Sequence, residues 1–457
     1  MNIASCKSKI FKGALWLGIG AFLAKLLGAV YRVPLTNLLG GIGLGLYQMV
    51  FPVYTVLLDF SGAGVPSALS KIISSKKEDK LCAGAYLSAS LKLFFWLGLA
   101  FSFLMFIFSR VLATLQGNGS AYLGYIFLAP AVLLVSLISC FRGYFQGLMN
   151  MKPTAISQVI EQAIKLCFGL LFVVKLMPNV EVAVAGATFA ITLSELIALI
   201  YLYIEFIRFK KKNNLYYATK KTNFKPYYKR IIKLTIPITI VGILLPLSQV
   251  IDSFLVLNIL GQYLENATSL YGILSGVVAT VIGLPVAICY GVAMVAIPAV
   301  SRSRLNNEQN KSAVKTLLLT IAIALPMASI CYFFAPLIVS ILFSGLSVEE
   351  KSIAVSLLKT CSINILLLSF LQTTNAVLIG KGKPYFSVAS LGLGVIVKES
   401  LNLILLKMPK LNIYGSAIAL IACYFTVCLV NLLMIFAVKE TKFKNETKRT
   451  LRRKYAS

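Results

Sequence analysis

Long apolar segments separated by short polar connections recur along the whole chain. A helix needs about 20 apolar residues to cross a bilayer, and twelve segments, six in each half, are long enough. They cover residues 13–31, 44–66, 82–108, 120–140, 154–177, 182–207, 231–258, 269–299, 313–343, 353–379, 385–406 and 411–438. The pattern predicts an all-α polytopic membrane protein with about twelve transmembrane helices.

Composition and charge support this prediction and set the orientation. Hydrophobic residues make up 58% of the 457 residues and charged residues 13%, which excludes a soluble core. Most of the 44 Lys and Arg lie in alternate connections that share one side of the membrane. By the positive-inside rule that side is the cytoplasm, and both termini are predicted to lie there. The net charge of +29 therefore reflects topology, since basic residues spread over short connections form no continuous groove for nucleic acid.

The two halves of the chain repeat each other at three places in the same order. The aligned positions are Asn37 with Asn258, Gly40 with Gly261, Pro66 with Pro298, and residues 147–153 with 380–384. The repeat predicts two six-helix lobes related by a pseudo-two-fold axis along the membrane normal, an arrangement typical of transporters. The predicted domains are an N-terminal lobe 1–207, a basic cytoplasmic linker 208–230, a C-terminal lobe 231–438 and a basic cytoplasmic tail 439–457.

Polar side chains share one helical face in several predicted spans. In span one, Gly18, Ala21, Lys25, Gly28 and Arg32 follow steps of three and four residues, which places them on one side of a helix. Charges at membrane depth are costly and face a water-filled cavity or a partner. The stripe therefore predicts a cationic cavity in the first lobe. Matching stripes in spans two and five carry Gln48, Thr55, Asp59, Gln158, Glu161 and Lys165.

Each of these charges also has a purely structural interpretation, and both interpretations stay open. Glu161 and Lys165 are four residues apart and can neutralise each other on one helix. Arg32 lies near a predicted helix end, from which its side chain can reach the interface. Asp59 either pairs with Lys25 or Lys92, or binds a coupling cation.

Three more basic residues have the same two interpretations. Arg142, next to Gln146, is either a positive-inside residue in a tight connection or part of a gate. Lys359 and Lys398 are the buried basic residues predicted for the second lobe, with a substrate or coupling role as the alternative to a structural one.

Four stretches of the sequence carry a resemblance to a known family. They are residues 31–40, 43–54, 64–71 and 142–162. The chain resembles the stage V sporulation protein B group of oligosaccharide and lipid-linked precursor flippases, relatives of MurJ and more distantly of the MATE drug exporters. The resemblance implies export of polyprenyl-diphosphate-linked sugars for peptidoglycan, spore cortex or another surface polysaccharide. It also implies that Lys25 and Arg32 lie in a central cavity that receives the diphosphate.

The chemistry of the candidate residues fits such a cargo. Lys25 and Arg32 would bind the diphosphate, and Gln48, Thr55 and Gln158 would bind the sugar. Asp59, Arg142, Glu161, Lys165, Lys359 and Lys398 are the candidates for coupling or gating. The sequence has no P-loop motif, so the membrane potential, with H⁺ or Na⁺ as a possible coupling cation, is the expected driving force.

Two other classes of function remain as alternatives. A MATE-like, cation-coupled exporter of drugs or metabolites would use acidic residues such as Asp59, Glu161 and Glu195. A membrane-embedded glycosyltransferase would need a sizeable non-cytoplasmic loop, and the predicted loops there are short. The expectation is therefore a monomeric transporter of the plasma membrane that is not an enzyme. No metal is expected either, since the sequence has no His and no Cys pair with metal-ligand spacing.

Overall fold

The structure, a computed structural model, describes residues 3–75, 80–213, 224–303 and 308–437. For residues 3–15, 17, 80–82, 241 and 302 it describes the backbone alone. The predicted tail, 439–457, and the middle of the predicted linker, 214–223, lie outside these ranges.

The described residues are helical, and no strand occurs among them. Two short π-helical turns, Asp59–Ala63 and Ile273–Val278, lie between α-helices. The α-helices are α1 Ile3–Leu58, α2 Val65–Ser75, α3 Lys80–Ile107, α4 Ser109–Leu115, α5 Tyr122–Gly147, α6 Lys152–Leu176, α7 Val180–Asn213, α8 Lys225–Leu260, α9 Ala267–Gly272, α10 Ala279–Ser303, α11 Gln309–Phe333, α12 Ala335–Leu342, α13 Val348–Cys361, α14 Ile363–Gly380, α15 Pro384–Leu405 and α16 Ile413–Ala437. The predicted all-α class is confirmed.

Apolar side chains cover the outside of these helices, and uncharged polar side chains lie inside. Trp96 is 68% exposed and Phe333 is 73% exposed, whereas Thr373 and Asn431 are fully buried. Such a surface is stable in lipid, because the bilayer core solvates apolar groups and offers no hydrogen bonds. Among the described residues, ten helices are long and apolar enough to cross a membrane. The chain is thus a multi-pass membrane protein, and the orientation of its termini stays a prediction.

Helix α1 contains the first predicted span, 13–31, and most of the second, 44–66. Its helical backbone is interrupted at Gly40, where φ is 65°, a left-handed conformation that glycine adopts without steric cost. The two spans are therefore separated by a break at one residue, while the rest of the chain between residues 31 and 44 is helical. The dipeptide Gly40-Gly41 is the sequence signal for this break.

The helices form two compact units. Unit 1 contains residues 1–277 and 339–353, and unit 2 contains residues 278–338 and 354–457. Helix α8, predicted to begin the second lobe, lies in unit 1, where Ile231 shares a hydrophobic core with Leu69 and Phe145. The division into lobes at the linker stays a prediction.

The asparagines that the internal repeat aligns make matching contacts in unit 1. Asn37 Nδ2 donates to the carbonyl oxygen of Leu342 at 2.9 Å, and Asn258 Nδ2 donates to the carbonyl oxygen of Leu115 at 2.8 Å. Leu115 ends α4 and Leu342 ends α12. Each asparagine thus caps the last residue of a short helix that follows the third span of the other half of the repeat.

Candidate functional site

A buried ion pair joins the two helices α5 and α6. Arg142 Nη2 lies 3.0 Å from Glu161 Oε2, and the two side chains are 15% and 18% exposed. Arg142 Nε also donates to Ser157 Oγ at 3.0 Å, and Gln162 Nε2 donates to Glu161 Oε1 at 2.9 Å. A turn of four residues connects the two helices, so their facing sides meet. Glu161 therefore has its ion pair with Arg142, across the hairpin, and not with Lys165.

Lys165 lies one turn further along α6 and faces other groups. Its Nζ lies 5.6 Å from the centre of the Tyr31 ring, a cation–π distance. It interacts electrostatically with Glu161, Glu195 and Arg32. The side chains of Arg32, Arg142, Glu161, Lys165 and Glu195, here called the charged cluster, thus come from α1, α5, α6 and α7.

Glu195 on α7 is the most deeply buried member of the charged cluster. It is 5% exposed, and its Oε2 has no hydrogen-bond donor among the described residues. Tyr54 of α1 is 4% exposed and interacts electrostatically with Glu195, Glu161 and Arg142. The electrostatic interaction energy between a buried carboxylate and nearby cations is larger than that of a surface pair, because little water screens the charges.

The register of α1 against α6 shows where Lys25 lies. A Cβ added at Gly20 would clash with Ala155, and one at Gly28 would lie 3.4 Å from Gln162 Oε1. Lys25 is therefore level with the α6 turn that begins at Gln158. Its side chain is exposed, whereas that of Arg32, two turns further along α1, is half-buried. The cationic stripe runs from an open surface towards the charged cluster.

The two glycines of that stripe, Gly18 and Gly28, differ in their contacts. A Cβ added at Gly28 would contact Gln162, whereas no atom of the described residues lies within 4 Å of a Cβ added at Gly18. The glycine that does allow close packing is Gly20, against Ala155, a use of small residues that is common between membrane helices.

The three residues predicted to bind sugar have different surroundings. Gln48 is 8% exposed and its Nε2 donates to the carbonyl oxygen of Ser275, which ties α1 to the second π-helical turn. Thr55 Oγ1 donates to the carbonyl oxygen of Phe51 at 2.8 Å within α1. Gln158 Oε1 is buried and accepts no hydrogen bond from the described residues. The Oε1 atom of Gln158 is therefore an unused acceptor, whereas the Nε2 atom of Gln48 already donates a hydrogen bond to Ser275.

Asp59 begins the first π-helical turn and is half-buried. It faces α8, since a Cβ at Gly242 would lie 4.0 Å from Asp59 Oδ2. Lys92, one of its two predicted partners, instead holds its Nζ 4.4 Å from the centre of the Phe224 ring. No ion pair joins Asp59 to another residue in the described part of the chain.

Lys359 and Lys398 lie in unit 2, apart from the nine other candidates, which lie in unit 1. Lys398 Nζ lies 3.4 Å from Glu399 Oε1, and the two side chains are 6% and 14% exposed. Asn402 Nδ2 also donates to Glu399 at 3.3 Å. Lys359 is half-buried in the last turn of α13. Lys398 is thus neutralised by its own neighbour on α15.

Sequence reasoning named Glu195 only for the exporter alternative and did not name Tyr31 or Tyr54 as site residues. Glu195 had a signal, because it is an acid in the middle of the apolar segment 182–207, whereas Glu205 lies at the end of that segment. The tyrosines had none, since aromatic residues are common in membrane helices and only the packing of α1 on α6 brings Tyr31 to Lys165.

Buried charges inside a bundle of apolar helices are typical of membrane transporters, and the comparisons with known proteins agree. The sequence pattern of the polysaccharide biosynthesis protein family matches residues 10–304. The chain belongs to this family.

Curated relatives align with nearly the whole chain. Stage V sporulation protein B of Bacillus subtilis (strain 168) is 28% identical over 440 residues, which cover 93% of this chain and 83% of the relative. The lipid II flippase MurJ of the same organism is 27% identical over 477 residues, covering 97% and 86%.

Solved structures show the same fold. An inward-facing multidrug resistance MATE family transporter of the MOP superfamily aligns with a TM-score of 0.73 and 17% identity, covering 92% of this chain and 96% of that one. The lipid II flippase MurJ in an inward closed conformation aligns with a TM-score of 0.71 and 15% identity, covering 96% of each chain. The chain is therefore a membrane transporter or flippase with the fold of the MOP superfamily.

Proposed function

We propose that this chain flips a polyprenyl-diphosphate-linked oligosaccharide outward across the plasma membrane, as a precursor of peptidoglycan or another cell-surface polysaccharide. The observation that carries the proposal is the different placement of basic and acidic residues in unit 1. Lys25 is exposed and Arg32 is half-buried on one face of α1. Glu161 is half-buried, like Arg32, and Glu195 is buried, and Arg142 and Lys165 face these two acids. An anion approaching α1 thus meets cations first.

The cationic stripe suits a diphosphate. The Arg32 guanidinium can hold two phosphate oxygens with two parallel hydrogen bonds, and the Lys25 ammonium adds a point charge one to two turns away. The buried Oε1 of Gln158 accepts a hydrogen bond from a sugar hydroxyl. Thr55 lies on the same stripe of α1 as Asp59, and we assign it to the sugar as well.

The names of the relatives support this cargo class. One relative is a lipid II flippase and another is a sporulation protein, and both align over most of their length. Lipid II is the cargo of that relative, and a lipid-linked anionic sugar is the class we carry over to this chain.

The membrane potential supplies the proposed driving force. Moving one charge through 100 mV is worth about 2.3 kcal/mol, so outward movement of a dianionic head group from a negative interior gains roughly twice that. Alternating access requires contacts that break and reform. We assign this gating to Asp59, Lys359 and Lys398, together with the ion pair of Arg142 and Glu161 and its neighbour Lys165.

Proteoliposomes provide the test. The wild type should move a fluorescent polyprenyl-diphosphate oligosaccharide across the bilayer when the lumen is positive relative to the cargo-loaded side. Lys25→Ala/Arg32→Ala should lose at least tenfold in rate, since two charge-assisted contacts are removed. Lys175→Ala removes an exposed cation at the end of α6 and should keep the wild-type rate. Equal rates in both variants, or a wild-type rate that is unchanged after the potential and ion gradients are collapsed, would refute the proposal.

A cation-coupled exporter of drugs or metabolites is the second candidate. The observation in its favour is the buried Glu195, whose Oε2 has no donor among the described residues, together with the half-buried Asp59. Overexpression should then raise resistance to cationic drugs, and Glu195→Gln should remove that resistance. A flippase predicts no change in drug sensitivity.

A further inference from the structure

A basic cleft lies between the end of α2 and the beginning of α8, within unit 1, and none of its lining residues belongs to the charged cluster. Its volume is about 390 Å³, and it is lined by Lys71, Ile72, Ser75, Arg230, Lys233 and Leu234. Three of these six side chains are cationic, and none is acidic. All three cations are exposed at the mouth of the cleft.

Three cations that meet at one cleft repel each other. At 4 Å in water, two unit charges interact by about 1 kcal/mol, and the energy rises as water is excluded. An anion bound between them removes this repulsion and replaces it with attraction. Arg230 supplies a planar fork that fits phosphate oxygens, and the two lysines supply flexible point charges.

The apolar part of the cleft distinguishes between a soluble anion and a lipid. Ile72 and Leu234 form its wall. On α8, Lys233, Ile236 and Ile240 follow steps of three and four residues and so share one helical face. Ile236 is 51% exposed and Ile240 is 60% exposed. An exposed apolar strip therefore starts directly beside the cationic mouth.

The shape of this surface matches an amphiphile, with the charge at one end and an acyl or prenyl chain along the helix. The two basic helices are held together by a shared hydrophobic core, in which Ile72 of α2 packs with Ile231 and Leu234 of α8. The Tyr227 ring of α8 also lies 4.8 Å from that of Tyr86 on α3. The cleft is thus formed by packed helices and not by a loose loop.

We propose that this cleft binds the phosphate of a membrane lipid. Lys71, Arg230 and Lys233 contact the phosphate oxygens, and the lipid chain lies along Ile236 and Ile240. The site is separate from the cationic stripe of α1 and does not depend on the proposed cargo. Two lipids carry the required group, an anionic phospholipid such as phosphatidylglycerol and a polyprenyl diphosphate.

Binding of a fluorescent short-chain phosphatidylglycerol to the purified full-length protein in neutral detergent tests the site. Lys71→Gln/Arg230→Gln/Lys233→Gln should weaken binding about tenfold or more, since the three basic residues that attract the anionic head group are removed. The matched control is Arg208→Gln/Lys225→Gln/Lys229→Gln, which removes the same charge outside the cleft. It should weaken binding less than about threefold, which is the effect of general surface charge at moderate salt.

Competition identifies the lipid. Displacement by undecaprenyl diphosphate at lower concentration than by unlabelled phosphatidylglycerol would assign the cleft to a polyprenyl carrier, and the reverse order would assign it to a phospholipid. Ile236→Ser/Ile240→Ser should weaken binding of either lipid and leave displacement by inorganic diphosphate unchanged. Equal losses in the two triple variants, or binding of phosphatidylcholine as tight as that of phosphatidylglycerol, would overturn the proposal.

Discussion

The polar interiors of the two units are built from different chemistry. In unit 1 the polar groups are charges from several helices, with the ion pair of Arg142 and Glu161 at 3.0 Å. Unit 2 contains an uncharged polar network, in which Asn431 Nδ2 donates to Thr374 Oγ1 at 3.0 Å and to Asn375 Oδ1 at 2.8 Å. Ser390 Oγ donates to Asn431 Oδ1 at 2.6 Å.

The two interiors indicate different uses, packing in unit 2 and transport in unit 1. Amide and hydroxyl groups can hold membrane helices together at a modest cost. Charges inside a membrane protein are expensive, so their presence points to a use beyond packing. In unit 2, Lys398 and Glu399 are sequence neighbours on α15, and the buried Lys381 donates to uncharged acceptors, the carbonyl oxygen of Ile435 and the side chain of Asn310. Unit 1 instead has an ion pair between two helices, Arg142 with Glu161.

The largest expected effect is on the ion pair of unit 1. Arg142→Ala leaves Glu161 buried without its cation and should lower the free energy of unfolding in detergent by about 3 kcal/mol. The matched control is Arg208→Ala, which breaks a 2.9 Å pair with Glu205 in which Arg208 is 71% exposed. The control should change the stability by less than about 0.5 kcal/mol. Similar losses of unfolding free energy in the two variants would show that the ion pair of Arg142 and Glu161 contributes no more to stability than a surface pair.

A smaller effect is expected for the network of unit 2. Asn431→Ala removes three hydrogen bonds between membrane helices, each worth about 0.6 kcal/mol on average, so roughly 2 kcal/mol should be lost. Chemical unfolding in detergent measures this value. Asn375→Ala removes one of the three bonds and should cost about one third as much. A loss for Asn431→Ala as large as that for Arg142→Ala would remove the contrast between the units.

The smallest effect concerns the repeat-related asparagines. Asn37 makes two contacts, one with the Leu342 carbonyl and one with the Gly345 N–H at 3.2 Å, whereas Asn258 makes one outside its own helix. Asn37→Ala should therefore cost roughly 1 kcal/mol and Asn258→Ala about half of that. Thermal unfolding resolves such differences. A larger loss of stability for Asn258→Ala than for Asn37→Ala would contradict the assignment of these losses to the contacts of the two asparagines.

Much of the fold could be predicted from hydropathy. The predicted spans 154–177 and 385–406 agree with α6 and α15 to within two residues, because an apolar run of about 20 residues crosses a bilayer as a helix that satisfies its own backbone hydrogen bonds. A separation between spans one and two was predicted, but its reduction to a single break at Gly40 was not, since it depends on one backbone angle. The short helices α4 and α12 were also missed, because they continue the apolar runs of α3 and α11.

The site was harder to predict, because it depends on which helices meet. Helical spacing correctly put Glu161 and Lys165 on one face, yet it suggested that they pair with each other. Packing of α5 on α6 brings Arg142 to Glu161 instead, and sequence spacing within one helix cannot show a contact between two. The hydrogen bond from Gln48 to the Ser275 carbonyl could not be predicted for the same reason, and the role of Gln48 in sugar binding stays a prediction.

Discrimination between charged and uncharged cargoes shows whether the cations of α1 receive an anionic head group. The measurement compares transbilayer rates of a polyprenyl-diphosphate oligosaccharide and an uncharged polyprenyl glycoside in proteoliposomes, without an imposed potential. The wild type should prefer the diphosphate cargo, and Arg32→Gln should lower this preference about tenfold. Arg32→Lys should retain part of the preference, since it keeps the charge. Equal rates for the two cargoes in the wild type, or a preference that Arg32→Gln leaves unchanged, would contradict it.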